Sequence, residues 1–302
     1  MIELVIGSRG SQLALWQAGH IAALLDDLGV KTRIEVIKTT GDKITDVALA
    51  RVGEAAGLKG IFTKEIEEAL IDGSIDLAVH SLKDLPTELP DGLTIGIVPE
   101  REDARDALVG KTLDELKPGD RVGTGSLRRA AQLRRLKPGV ETLDIRGNVD
   151  TRLRKLDEGQ FDAIILACAG LKRLGLKDRI AQALDTETMA PAIGQGALGI
   201  EVRIGDGVTL EAVSALNHVP THQAVEAERS LLDAFGGGCQ VPLGGYARVD
   251  GDDLYLSAAV FSQDGSSLIR DQDWGPMTEA KELGRRLAAS LKSKGADKLL
   301  PA

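Results

Sequence analysis

Cysteine is nearly absent from this chain of 302 residues, which has only two, Cys168 and Cys239. Their settings differ so much that no disulfide framework is expected, and a reducing compartment is favoured. Aromatic residues make up 3%, too few for the stacking platforms that hold single-stranded nucleic acid. The net charge of −9 argues against generic nucleic-acid binding as well. Histidine is also scarce, with four residues. His218 and His222 are spaced i, i+4, but Pro220 between them is expected to break the helix, and no carboxylate or thiolate partner stands at convincing spacing. No metal site is expected. Long hydrophobic runs are missing. The longest, around residues 163–171, is far short of a membrane span. The opening Met1-Ile-Glu-Leu-Val-Ile-Gly7 has no basic region followed by a hydrophobic stretch, so no signal peptide is expected. These absences point to a cytoplasmic protein with neither membrane nor nucleic acid as partner.

What is present is a hydrophobic content of 43%, enough for two or three domains with cores of their own. Short β-rich runs alternate with helical patterns through the first two-thirds: strands at 3–7, 32–39, 76–80, 121–123, 142–145 and 161–167, helices from 11 to 29 and at 64–71, 127–136 and 149–156. The first helix is expected to bury Leu15, Ala18, Ala22 and Leu25. Such alternation indicates α/β domains with largely parallel sheets. Charged residues 99–106 read as a crossing between two such domains, and 197–203 as the return. Beyond residue 217 a helix at 222–234, hairpin strands at 254–261 and 267–273 turned by Asp264-Gly265, and a helix at 278–292 suggest a smaller α+β domain. The expected division is 1–98 with 197–216, then 99–196, then 217–302.

Cys168 lies in an apolar run and reads as an inert core residue. Cys239 does not. It sits in Gly236-Gly-Gly-Cys-Gln-Val-Pro-Leu-Gly-Gly245, where flanking glycines leave its sulfur reachable, as a nucleophile or as an attachment point. Residues 121–155 carry ten Lys or Arg against three acids, a strongly basic stretch in an acidic protein, as a site for a polyanionic small molecule requires. Arg134, Arg135, Arg154 and Lys155 fit solvated helix faces. Gly123-Thr-Gly-Ser-Leu-Arg-Arg129 follows a strand and opens a helix, so unpaired N–H groups join the hydroxyls of Thr124 and Ser126 and the guanidiniums of Arg128 and Arg129 as an anion site. The plainer reading makes Ser126 an N-cap and leaves one arginine in solvent. Ser8-Arg-Gly-Ser11 repeats this logic, and Arg146 to Arg152 form a third arginine-bearing strand-to-helix junction. In His80-Ser-Leu-Lys-Asp84 an acid beside Lys83 suits cation stabilisation or proton transfer. His80 reads as a structural partner, Leu82 and Leu85 as packing residues. Gly194-Gln-Gly-Ala-Leu-Gly199 fits the dinucleotide glycine pattern but leads into a strand, so a nucleotide site is rejected.

Taken together these segments resemble the porphobilinogen deaminase (hydroxymethylbilane synthase) family over essentially the whole chain. The motifs are Ser8-Arg-Gly-Ser-Gln-Leu-Ala-Leu-Trp-Gln17, Gly60-Ile-Phe-Thr-Lys-Glu-Ile-Glu67, Ala78-Val-His-Ser-Leu-Lys-Asp-Leu-Pro86, Gly123-Thr-Gly-Ser-Leu-Arg-Arg129, Arg146-Gly-Asn-Val149, Ala169-Gly-Leu-Lys-Arg173, Gly194-Gln-Gly-Ala197 and Gly237-Gly-Cys-Gln-Val-Pro242. The resemblance implies two periplasmic-binding-protein-like α/β lobes around a cleft plus a smaller C-terminal α+β domain, in a monomer. It implies a transferase of porphyrin and heme biosynthesis that joins four porphobilinogen molecules head to tail, with loss of ammonia, and then frees hydroxymethylbilane by hydrolysis. A dipyrromethane cofactor would be held through a thioether on Cys239. Asp84 would be the catalytic carboxylate. Lys83, Asp84, Thr124, Ser126, Arg128, Arg129 and Arg173 would hold the cofactor; Arg9, Ser11, Arg146 and Arg152 would hold the incoming substrate. Each pyrrole carries an acetate and a propionate, which fits arginines at helix N-termini. Two departures stand out: Gly125 replaces a second serine, and residues 50–60 are longer than the family's glycine-lysine loop, so that Arg51 and Lys59 align loosely with its basic residues and altered lid mobility is expected. A receptor for a small anion would need only the two lobes and leaves Cys239 without a purpose. An RNA-binding protein is opposed by the acidic balance.

Overall fold

A computed structural model of the chain describes residues 3–40, 63–237 and 241–300. Cys239, Arg51 and Lys59 lie outside the described residues. The chain divides into two compact units, Met1–Arg101 with Ala197–His222, and Glu102–Gly196 with Gln223–Ala302. The chain thus leaves the first unit between Arg101 and Glu102 and re-enters it at Ala197.

In the first unit, strands β1 (Glu3–Ser8), β2 (Lys31–Val36), β3 (Leu77–Ser81), β4 (Leu93–Ile97) and β10 (Leu198–Arg203) form one sheet in the order β2-β1-β3-β10-β4. β1 runs parallel to β2 and β3, and β10 is antiparallel to both of its neighbours. Helices α1 (Gln12–Asp27), α2 (Lys64–Ile71) and α6 (Gly207–Val213) accompany it. The stripe that α1 buries is Gln17, Ala18, Ile21 and Leu25, at the spacing of one helix face. Leu15 was expected on that stripe and is 37% exposed instead. It stands one turn too early, next to Trp16, whose ring stacks on His20.

The second unit repeats the pattern. Strands β5 (Asp106–Val109), β6 (Arg121–Gly123), β7 (Glu141–Leu143), β8 (Ala163–Ala167) and β9 (Gln182–Leu184) are ordered β7-β6-β8-β5-β9, with β6 parallel to β7 and β8, and β5 antiparallel to β8 and β9. In each sheet the antiparallel strand in fourth position is the one that follows a crossing. Helices α3 (Leu127–Leu136), α4 (Val149–Asp157) and α5 (Cys168–Arg173) follow β6, β7 and β8.

The same unit includes an antiparallel sheet of β11 (Leu243–Asp250), β12 (Asp253–Phe261) and β13 (Leu268–Pro276). Alternate residues Leu254, Leu256, Ala258 and Val260 enter one core with Leu231, Leu283 and Leu287 of α7 (Val219–Ala234) and α8 (Ala280–Ser293). Pro220 does not break α7. It falls in the first turn, where a missing N–H costs nothing. β11 escaped the sequence because Gly244-Gly245 look like a turn; a Cβ on Gly244 would meet Ala190 O at 2.6 Å, so glycine is there for close packing.

The Gly194-Gln-Gly pattern is explained by packing as well. Gly196 has φ +87°, and a Cβ there would lie 2.4 Å from Glu102 O. The outgoing and returning segments meet here, with Glu102 N–H donating to Gly196 O at 3.2 Å. Gly196→Ala should therefore cost about 1–3 kcal/mol. The control is Gly159→Ala, at φ +75° with open space around it. Thermal unfolding should drop further for the first than for the second; equal drops would remove the steric argument.

Candidate active site

In the first unit, two strand ends present candidate residues. β1 ends at Ser8, which is buried, and Arg9 behind it is half-buried. The Ser11 hydroxyl caps α1 by accepting from Ala14 N at 3.3 Å. β3 ends at Ser81 and passes into a single 3-10 turn, Leu82–Asp84. Leu82 and Leu85 are buried, the packing role expected of them, and they pin the turn on both sides. Lys83 is half-buried and Asp84 exposed. Among the described residues the Asp84 carboxylate makes no hydrogen bond or ion pair. A free carboxylate on a pinned turn can meet a developing positive charge or a transferable proton.

His80 is a structural partner, as expected. Its Nε2 lies 3.0 Å from Glu201 Oε2, with both side chains buried.

In the second unit, the β6–α3 junction holds the densest cluster. Ser126 caps α3, its hydroxyl accepting from Arg129 N at 3.5 Å, while Ser126 N donates to Thr124 Oγ1 at 3.2 Å. Both hydroxyls keep a proton to donate. The plainer reading of the adjacent arginines, one in solvent, is not what the structure has: Arg128 and Arg129 are 4% and 7% exposed. They converge on one acid that sequence reasoning missed, Asp106, which is fully buried. Arg128 Nη1 donates to Asp106 Oδ2 at 2.7 Å; Arg129 Nε and Nη2 donate to Oδ1 at 2.9 and 2.7 Å. Gln195 Nε2 adds a bond to Oδ1 at 2.9 Å, which gives the glutamine of the Gly194-Gln-Gly pattern its role. Burial alone would raise the Asp106 pKa, but the two guanidiniums outweigh it and hold the carboxyl well below its usual range. Two cations on one anion leave a net positive charge. A sequence signal existed: an acid opening the apolar run Ala107-Leu-Val109 must be paired if that run is core.

Arg173 adds to that excess. It is 9% exposed, donates from Nη2 to Gly196 O at 2.7 Å, and has no ion pair among the described residues. Burial pushes its pKa down to about 10. A buried guanidinium lacking a carboxylate is a standing site for an anionic ligand.

At the third junction, Arg146 Nε donates to Asp144 at 2.7 Å and Arg152 Nε to Gly147 O at 2.7 Å. Lys155, expected in solvent, donates to Arg146 O at 3.2 Å, so this loop is tied down from three sides. A Cβ on Gly125 would meet Ile145 O at 3.1 Å and Asp144 Oδ1 at 3.2 Å; the backbone here is packed closely around glycine. Cys168 is buried, and burial pushes its thiol up to about 12, which makes it inert. Among the described residues no group of three or more His, Cys, Asp or Glu is arranged for a metal ion, and no helix is long and apolar enough to cross a membrane.

The chain was compared with known proteins. Residues 4–211 match the family model described as porphobilinogen deaminase, dipyromethane cofactor binding domain, and residues 222–293 match porphobilinogen deaminase, C-terminal domain. Porphobilinogen deaminase of Syntrophobacter fumaroxidans is 51% identical over 300 residues, covering 98% of this chain and 96% of that one. Those of Pelobacter propionicus and Prochlorococcus marinus strain MIT 9313 are each 50% identical, covering 99% of this chain and 96% of theirs. Among solved structures, the methionine binding protein MetQ aligns with a TM-score of 0.45 at 14% identity, over 75% of this chain and 93% of that one. With both family models matched in order and half of all residues identical along nearly the full length, this chain belongs to the porphobilinogen deaminase family.

Proposed function

We propose that this chain is a transferase that joins four porphobilinogen molecules head to tail with loss of ammonia, then releases hydroxymethylbilane by hydrolysis. It starts from a dipyrromethane primer attached to Cys239, acts in the cytoplasm, and works as a monomer. Its division into 1–98 with 197–216, 99–196 and 217–302 assigns anion binding to the first two parts and the anchoring cysteine to the third.

The observation that carries the reading is the excess of guanidinium over carboxylate at the β6–α3 junction of the second unit. Arg128 and Arg129 share one buried carboxylate, Asp106, and Arg173 has no ion pair among the described residues, so an anion would complete the cluster. A primer bearing acetate and propionate groups fits. Lys83, Thr124, Ser126, Arg128, Arg129 and Arg173 would hold its carboxylates, with Asp84 beside its pyrrole nitrogens. When bound, that group supplies a free pyrrole α-carbon as nucleophile. Arg9, Ser11, Arg146 and Arg152 bind the carboxylates of the incoming porphobilinogen and orient its aminomethyl arm. As the C–N bond of that arm breaks and ammonia leaves, Asp84 stabilises the positive charge spreading into the substrate ring. Its carboxylate is also the group able to accept the proton lost when the new C–C bond forms.

Intact mass is the test. The purified protein should exceed its sequence mass by two linked pyrrole units, and Cys239→Ser should lack that surplus and form no tetrapyrrole. A wild-type preparation that turns over porphobilinogen at the bare sequence mass would falsify the anchor.

A further inference from the structure

Four buried polar side chains in the first unit have no part in the function proposed above. His80 on β3 faces Glu201 on β10 at 3.0 Å, and Glu201 is completely buried. Its second oxygen, Oε1, has no hydrogen-bond partner among the described residues, and neither do the buried Glu67 Oε1 and Thr63 Oγ1. Burial raises the Glu67 pKa, and the nearby Glu201 charge adds to it. Taking a carboxylate such as Glu201 out of water costs several kcal/mol unless it is well satisfied. A core built only for stability would hold an apolar pair here.

The location of the pair gives it a purpose. His80 is the last buried residue before Ser81 and the turn Leu82–Asp84. That end of β3 is gripped from two elements. From β10, Glu201 holds the His80 ring, and Ala197 O, just before that strand, accepts from Leu82 N at 3.0 Å. From α1, the buried Gln17 donates from Nε2 to Ser81 Oγ at 2.8 Å. β10 is also shaped to the turn: Gly199 lies opposite His80 in the register, and a Cβ on it would come within 2.7 Å of Leu82 Cδ1. Of these grips, only the His80–Glu201 pair is ionisable, and it is the one that stability alone does not explain.

We propose that Glu201 and His80 are positioning residues, which fix the turn carrying Lys83 and Asp84 in its working orientation. This rests on the roles given to Lys83 and Asp84 above. A displacement of about 1 Å at such a turn can cost about 10²-fold in rate.

The test replaces the pair by apolar groups of similar shape, His80→Phe with Glu201→Leu, beside each single substitution. Measured are Tm, the mass surplus at Cys239, and kcat and KM for porphobilinogen per molecule carrying the surplus. An apolar pair is often neutral for stability or better, so the double variant should melt near wild type. Its kcat should nevertheless fall about 10-fold or more, with KM within about twofold, and each single variant should lose about as much as the double. Loss of loading at unchanged Tm supports the proposal equally, because Lys83 is assigned to the primer. A double variant that is loaded and retains more than a third of wild-type kcat overturns it, as does a double loss equal to the product of the single losses. Should the double variant fail to fold, Glu201→Gln is read against the same threshold. A wild-type protein with no surplus would sink the underlying reading instead, so the two failures are told apart.

Discussion

Replacing Asp84 by alanine should lower the rate of ammonia release by about 10²–10⁴-fold, the range spanned by loss of a positioned proton-transfer group, and leave the fold intact. The two halves of that expectation have separate physical grounds. Stability should hold because the Asp84 side chain is exposed and unbonded among the described residues, and surface substitutions of that kind stay within about 0.5 kcal/mol. The turn itself is held by Leu82, Leu85 and the bond from Leu82 N to Ala197 O, none of which involves the carboxylate. Activity should collapse because no second free carboxylate stands on that turn to take over. Asp84→Asn separates charge from shape: if stabilisation of positive charge dominates, asparagine should be nearly as damaging as alanine. Single-turnover ammonia release with thermal unfolding alongside decides the matter, and turnover within about tenfold of wild type would remove Asp84 from its role.

Much of this architecture was legible because the chain alternates apolar β-rich runs with helices of clear period, and because glycine and charge mark the ends of elements. The helices at 64–71 and 127–136 are where the pattern puts them. Strands β4, β5 and β9 were missed, β5 for a clear physical reason. β5 is four residues of buried sequence directly behind a charged crossing, where composition speaks for a loop and only the neighbouring strands β8 and β9 make it a strand. Leu15 failed differently: its spacing fits a helix face, but the buried face of α1 is set by the sheet it covers, and that face starts at Gln17. For the candidate site, the residue types that bind anions could be read from motif and context, whereas which buried residues they pair with could not. Asp106, Gln195 and Glu201 are distant in sequence from the arginines and histidine they serve. Their partners are chosen by sheet topology, which no local pattern encodes. Cys239 is the opposite case, conspicuous in sequence through its glycines and outside the described residues in the structure.

The Asp106 cluster leads to the largest expected loss of stability, from Asp106→Asn. The substitution preserves shape and removes the only carboxylate paired with Arg128 and Arg129 among the described residues. Two effects compete. An extra unit of positive charge would attract an anionic ligand more strongly, by up to about 4 kcal/mol for a contact at 4 Å in a medium of intermediate dielectric. Against this, breaking a buried ion pair by removing one partner costs about 3–5 kcal/mol, and here two guanidiniums lose their partner at once. The attraction acts only in a folded protein with ligand bound, while the penalty acts on every molecule as it folds and before it can acquire a primer, so the penalty wins. The expected result is a drop in Tm of roughly 5–15 °C and little or no mass surplus at Cys239. The pH dependence carries the sign. Asp106 has its pKa depressed in the folded state, so its contribution is fully present above the unfolded value of about 3.9 and is lost as pH falls through the folded value. The gap in Tm between wild type and Asp106→Asn should therefore stay constant from about pH 5 to 8 and narrow only below about pH 4. Asp106→Glu, which keeps the charge one methylene further out, should fall between the two. An asparagine variant that melts with wild type and carries the full surplus would show that Arg128 and Arg129 need no buried partner, and that their convergence on Asp106 is incidental to both folding and primer binding.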